Sequence, residues 1–140
     1  MEIQISYLAI ILSAVASVLV GFVWYGFLFQ KKWMALMEFT EDSMKDMKMT
    51  PMMATVLQFV VSLFMAYVLS HVMILSQAFY GYSPVTTALS TAFFLWLGFI
   101  APITLGVVLW EGKSWKLWFI NASNYLVTVI LMALIIAFLA

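Results

Sequence analysis

The most suggestive residues for polar chemistry are neutral ones that share two helical faces. Thr55, Gln58, Ser62 and Ala66 recur at three- and four-residue spacing, as do Asn121, Asn124, Tyr125 and Thr128. In an α-helix that spacing puts each set on one side. Amides and hydroxyls so arranged can bind a neutral or weakly polar solute, or one another. Trp24 and Tyr25 fall at the same level of the chain's expected topology. The candidate polar pocket is therefore Trp24, Tyr25, Gln58, Ser62, Asn121, Asn124 and Tyr125. Two outcomes fit it: interhelical hydrogen bonds that knit a bundle, or a polar vestibule open to the cytoplasm.

Missing residue types narrow the chemistry further. There is no cysteine, which excludes disulfides, thiol redox chemistry and Cys-ligated metals. No acid or lysine lies inside an apolar run, whereas ion-coupled transporters commonly keep an ionisable group near the bilayer midplane. His71 is the lone titratable side chain there apart from tyrosine. It either hydrogen-bonds a neighbouring helix or lines the outer interface, or it serves a proton relay or ligand contact. Met44, Met47 and Met49 read as apolar filling rather than as metal ligands. With no histidine cluster and no nucleophile–base pair, an enzyme is the weakest reading, and no cofactor or metal is expected.

These side chains must be carried on membrane helices. The chain has 140 residues, 66% hydrophobic and 9% charged, too little polar surface for a soluble globule. A helix needs roughly 20 apolar residues to span a bilayer, and four runs suffice, at about 5–29, 52–77, 84–110 and 117–139. The expected fold is an all-α membrane protein of four transmembrane helices, forming one domain over residues 1–140. The short connections 80–82 and 111–114 imply two antiparallel hairpins. A zero net charge gives no broad attraction to nucleic acid.

All six cations are lysines: Lys31, Lys32, Lys45, Lys48, Lys113 and Lys116. They lie in connections that face one side, which the positive-inside rule makes cytoplasmic. Both termini are then outside. Glu2 is the only charge ahead of the first run, so that run lacks the basic start of a cleavable signal peptide. Between the first two spans, Trp33, Leu36 and Met37 recur as in an interfacial amphipathic helix. Thr40 ahead of Glu41 and Asp42, with Lys45 and Lys48 behind, predicts a capped helix over about 41–49.

Small residues suggest where helices pack closely. Ala9, Ser13, Ser17 and Gly21 form a four-residue stripe on helix 1, and Phe94, Gly98, Pro102, Gly106 and Trp110 form a row on helix 3. Pro102 should kink that span. Gly98 and Gly106 should permit close approach, making Gly98, Pro102 and Gly106 a candidate hinge or a static bend. The Trp96 N–H, close to the midplane, needs an inward acceptor. Thr50-Pro51 and Ser83-Pro84 each pair an N-cap with a proline suited to the first helical position.

Two stretches together resemble a known family. The first is Gly21-Phe22-Val23-Trp24-Tyr25 with Phe29 and Trp33. The second runs from Trp96-Leu97-Gly98-Phe99 through Glu111-Gly112-Lys113 to Asn121-Ala122 and Tyr125-Leu126-Val127. They are similar to the bacterial small membrane proteins grouped as domain of unknown function 1761, over nearly the whole chain. Where that pattern leads one to expect histidine after the helix 4 tyrosine, this chain has Leu126. The resemblance implies four membrane helices, in the cytoplasmic (inner) membrane of a bacterium, and implies no activity. Taken together, the residues favour a small-solute conduit built as a homo-oligomer in the lipid bilayer. The alternative is an accessory or scaffold protein that binds another membrane protein or a lipid.

Overall fold

The computed structural model describes residues 4–139, all of whose regular structure is helical. Four stretches are long and apolar enough to cross a membrane: Tyr7–Leu28, Pro51–Tyr80, Pro84–Leu109 and Trp115–Leu139. The second begins one residue before the expected run and continues three beyond it, because Tyr80 is still helical. Gly81 then ends the helix in the left-handed region, φ 69°, a conformation that costs glycine nothing.

The first span consists of α1 (Tyr7–Val23) and a π-helical turn, Trp24–Leu28. Ser6 caps it through the Ala9 amide. Phe29 leaves helical geometry, and α2 (Gln30–Met37) follows, in contact with the fourth span. Tilted and edge-on ring contacts, Tyr25–Trp33 at 5.2 Å and Trp33–Phe39 at 5.4 Å, hold this bend. The helix expected over about 41–49 is shorter. α3 covers Glu41–Lys45, with a reciprocal capping box between Thr40 and Ser43. It stops early because Thr50 must be extended ahead of Pro51, at ψ 154°, as residues before proline are.

The second span is α4 (Pro51–Tyr80), capped by Thr50. The third is broken into α5 (Pro84–Leu95), a second π-helical turn at Trp96–Ile100, α6 (Ala101–Thr104) and α7 (Gly106–Leu109). The irregularity expected at Pro102 therefore starts a turn earlier, at Trp96. The fourth span is α8 (Trp115–Leu139).

α8 is the centre of the bundle. It makes broad contact with α1 on one side and α5 on the other, and α1 also packs on α4. The α4–α5 and α4–α8 contacts are narrower. Ala9, Ile10, Ala66, Leu69, Met73, Ala88, Ala92, Val129, Met132, Ala133 and Ile136 form the core. Alanine at Ala9, Ala66, Ala88, Ala92 and Ala133 lets backbones approach closely, as interfaces between membrane helices require.

Two packing expectations are not met within one chain. Of the helix 1 stripe, Ala9, Ser13 and Ser17 are buried within the chain, but a Cβ at Gly21 would meet nothing within 4 Å. Gly98 is equally open, and Gly106 would meet only Trp110 of its own span, at 3.8 Å. The glycines of the third span permit no close approach inside this chain, because α8 packs on the opposite face, through Ala88 and Ala92.

Candidate functional site

Where the first and fourth spans meet, four polar side chains join. The Tyr25 hydroxyl donates to Asn121 Oδ1 at 2.7 Å and accepts from Asn124 Nδ2 at 3.4 Å. Thr128 donates to Asn124 Oδ1, also at 3.4 Å. Asn124 is only 6% exposed. Amides in hydrocarbon must find partners, and here both amides of α8 meet the Tyr25 hydroxyl of the first span's π-turn. Trp24 lies alongside, its indole N–H donating to the Ile120 carbonyl at 2.9 Å.

Gln58 and Ser62 belong elsewhere. Gln58 is exposed and donates to Ser62 Oγ at 3.2 Å, and Ser62 donates to Ser17 Oγ at 3.0 Å. This short chain of bonds joins α4 to α1. Six of the seven candidate residues thus fall into two separate groups, Trp24, Tyr25, Asn121 and Asn124 in one and Gln58 and Ser62 in the other, while Tyr125 faces the groove described below. The bonds of Gln58 and Ser62 run to α1, and those of Asn121 and Asn124 run to Tyr25, so the two sets do not converge.

His71 bonds its own helix. Its Nδ1 donates to the Tyr67 carbonyl at 2.9 Å, and its ring lies 4.5 Å from that of Tyr67. Because a carbonyl can only accept, this bond requires a proton on Nδ1. Among the described residues it makes no bond to a neighbouring helix, which leaves the outer interface or a ligand contact as its expected role. Among the described residues there is also no group of three His, Asp or Glu side chains able to hold a metal.

The open space lies between α4 and the third span. One cavity of about 390 Å³ is lined by Phe64, Met65, Val68, Leu69, Leu95 and Ile100, with Val129 and Met132 beneath. A second, of about 320 Å³, shares Met65, Ile100 and Val129 and adds Phe99, Ile103, Thr104, Tyr125 and Thr128. Together they form a groove open along the flank of the bundle, with α8 as its floor. Its walls are hydrocarbon, and hydroxyls enter only in the second lobe. Tyr125 is the single member of the candidate pocket that lines it. Thr104 is held by bonds to the Ile100 carbonyl at 2.6 Å and from the Trp118 indole at 3.2 Å. Sequence reasoning missed this groove because it arises from the narrow contact between α4 and α5.

It also missed the two π-turns, although a signal was present. Trp24-Tyr25-Gly26-Phe27-Leu28 and Trp96-Leu97-Gly98-Phe99-Ile100 share the pattern Trp-x-Gly-Phe-aliphatic. Each tryptophan opens a π-turn and donates to α8: Trp24 to Ile120, and Trp96 to Ala122 at 2.8 Å. π-turns are rare and gather at functional sites. Here they let two indoles reach α8 from opposite sides at nearly the same height, and the inward acceptor expected for Trp96 is the Ala122 carbonyl.

No curated protein and no solved structure matches this chain. Residues 8–137 match the family described as a protein of unknown function, DUF1761, and with nearly its whole length covered the chain belongs to that family.

Proposed function

We propose that this protein is a membrane-embedded binding protein for an amphiphile, a molecule with an apolar chain and a neutral hydrogen-bonding head. The observation that carries this reading is the lateral groove between α4 and the third span, apolar in one lobe and hydroxyl-bearing in the other. An apolar tail suits Phe64, Met65, Val68 and Leu95. A carbonyl or hydroxyl head suits Tyr125 and Thr128. Ligand sites are generally concave and apolar with a few placed polar groups, and entry from the bilayer needs no aqueous path. This favours the accessory role over the solute conduit, because neither lobe is lined by Gln58, Asn121 or Asn124.

The test is to purify the protein from membranes, extract what remains bound and quantify it by mass spectrometry. One lipid class should be enriched over the membrane average, and Met65→Trp, which fills the part common to both lobes, should remove that enrichment. Equal lipid profiles for parent and variant would sink the reading. The conduit reading retains one supporting observation, the polar group at Tyr25, Asn121 and Asn124, and would be favoured if those positions proved accessible to water.

A further inference from the structure

The third span leaves backbone carbonyls without a backbone donor, in a stretch whose residues are largely exposed. Across the π-turn the Ala101 amide donates to the Trp96 carbonyl. Pro102 has no amide hydrogen. The Ile100 carbonyl, at the N-cap of α6, takes the Thr104 amide. Only the Ile103 amide is left for the carbonyls of Leu97, Gly98 and Phe99, so at least two of the three lack a backbone donor. The nearest side-chain donor, the Thr104 hydroxyl, is directed to Ile100 and Ala101. Leu97 is 49% and Phe99 64% exposed, and nothing approaches the Gly98 position within 4 Å. In hydrocarbon such carbonyls cost several kcal/mol each unless a donor covers them.

A donor with the opposite need sits at the same depth on the second span. Tyr67 is 46% exposed, and its hydroxyl makes no hydrogen bond among the described residues. Tyrosine normally occupies the membrane interface, where its hydroxyl is wet, yet Tyr67 is near the middle of α4. It lies 13 residues before the end of α4 at Tyr80 (80 − 67), and Leu97 lies 13 residues after the start of α5 at Pro84 (97 − 84). Only residues 81–83 separate these two ends, so both sites are about 20 Å below the same turn at roughly 1.5 Å per residue.

We propose that a second copy of this chain covers the third span, with Tyr67 of one copy donating its phenol hydrogen to the uncovered carbonyls around Gly98 of the other. Rotation about the membrane normal preserves depth, so it can bring this donor and this acceptor together. The contact is between unlike surfaces. It closes either as a dimer with two such junctions or as a small ring. Gly98 is suited to the place because its missing side chain lets the phenol reach the backbone. This association is independent of whether the groove binds an amphiphile.

Complementation tests it. Donor- and acceptor-labelled copies are reconstituted in phosphatidylethanolamine–phosphatidylglycerol vesicles, and self-association is read by energy transfer. Tyr67→Phe removes only the hydroxyl, and should weaken association by about threefold to tenfold, the range of interhelical hydrogen bonds in membranes. Gly98→Leu blocks the acceptor side, and the open space at Gly98 should leave the fold intact, as helical circular dichroism will verify. Mixing the two variants should restore transfer between them, because one complete junction remains: Tyr67 of the Gly98→Leu copy on Gly98 of the Tyr67→Phe copy. A monomeric parent, or a Tyr67→Phe variant that associates as the parent does, overturns the proposal. So does Gly98→Leu abolishing association with no recovery on mixing, which would put like third spans against each other.

Discussion

Tyr25 and Asn121 are joined by a 2.7 Å hydrogen bond that ties the π-turn ending the first span to the central helix of the bundle. Their separation of 96 residues in sequence makes this bond a clamp between the two ends of the chain. A double-mutant cycle of Tyr25→Phe and Asn121→Ala should show a coupling of about 0.6 kcal/mol, and up to about 1.7 kcal/mol, as membrane hydrogen bonds do. The measurement is reversible unfolding in a bilayer mimetic. Strictly additive losses would show that the bond contributes nothing.

The two indoles that hold α8 should behave alike. Trp24→Phe and Trp96→Phe each keep an aromatic ring but delete the N–H that meets Ile120 or Ala122. Each should cost about 1 kcal/mol and speed amide exchange in its own π-turn more than elsewhere. Uniform exchange throughout the molecule would deny the indoles a local role.

Thr87 offers a change in the opposite direction. Its side chain is wholly buried, and among the described residues its hydroxyl is the buried side-chain polar atom with no hydrogen-bond partner. Thr87→Val keeps the shape and removes the orphan, so it should stabilise the protein by about 1 kcal/mol or more. Destabilisation would mean that the hydroxyl is satisfied by something outside the chain.

Water access separates the two functional readings. The parent has no cysteine, so Gln58→Cys, Asn121→Cys and Asn124→Cys can be labelled singly with a water-soluble thiol reagent. Under the amphiphile reading all three stay protected: Asn121 and Asn124 by their partners, Gln58 by the lipid it faces. Rapid labelling of Asn121→Cys and Asn124→Cys would revive the conduit.

The lysines predict an orientation. Six lie in the connections around residues 30–50 and 111–116, and none beyond the other ends of the spans. A reporter joined after Ala140 should therefore read as external. A cytoplasmic signal would reverse the assignment.

Four apolar runs of membrane-spanning length were legible from residue types alone, since hydrocarbon thickness sets a length that any sequence can be checked against. The caps at Thr40, Thr50 and Ser83 were equally legible, because a cap is a contact over three residues. The polar faces of α4 and α8 could be drawn from spacing, and Trp96 could be assigned an inward acceptor from the needs of its N–H. Whether Gln58 meets Asn121 depends on how α4 sits relative to α8, which no local rule contains. α1 packs against both, so Gln58 bonds Ser62, which in turn bonds Ser17 of α1, while Asn121 bonds Tyr25. The groove follows from the same arrangement, as a gap left where α4 and α5 touch only narrowly. The third span shows the division most plainly. Pro102 announced an irregular helix from sequence, but the uncovered carbonyls at Leu97, Gly98 and Phe99 appear only once the π-turn has claimed the Ala101 amide. Spacing determines which residues share a helix face, and packing determines what that face meets.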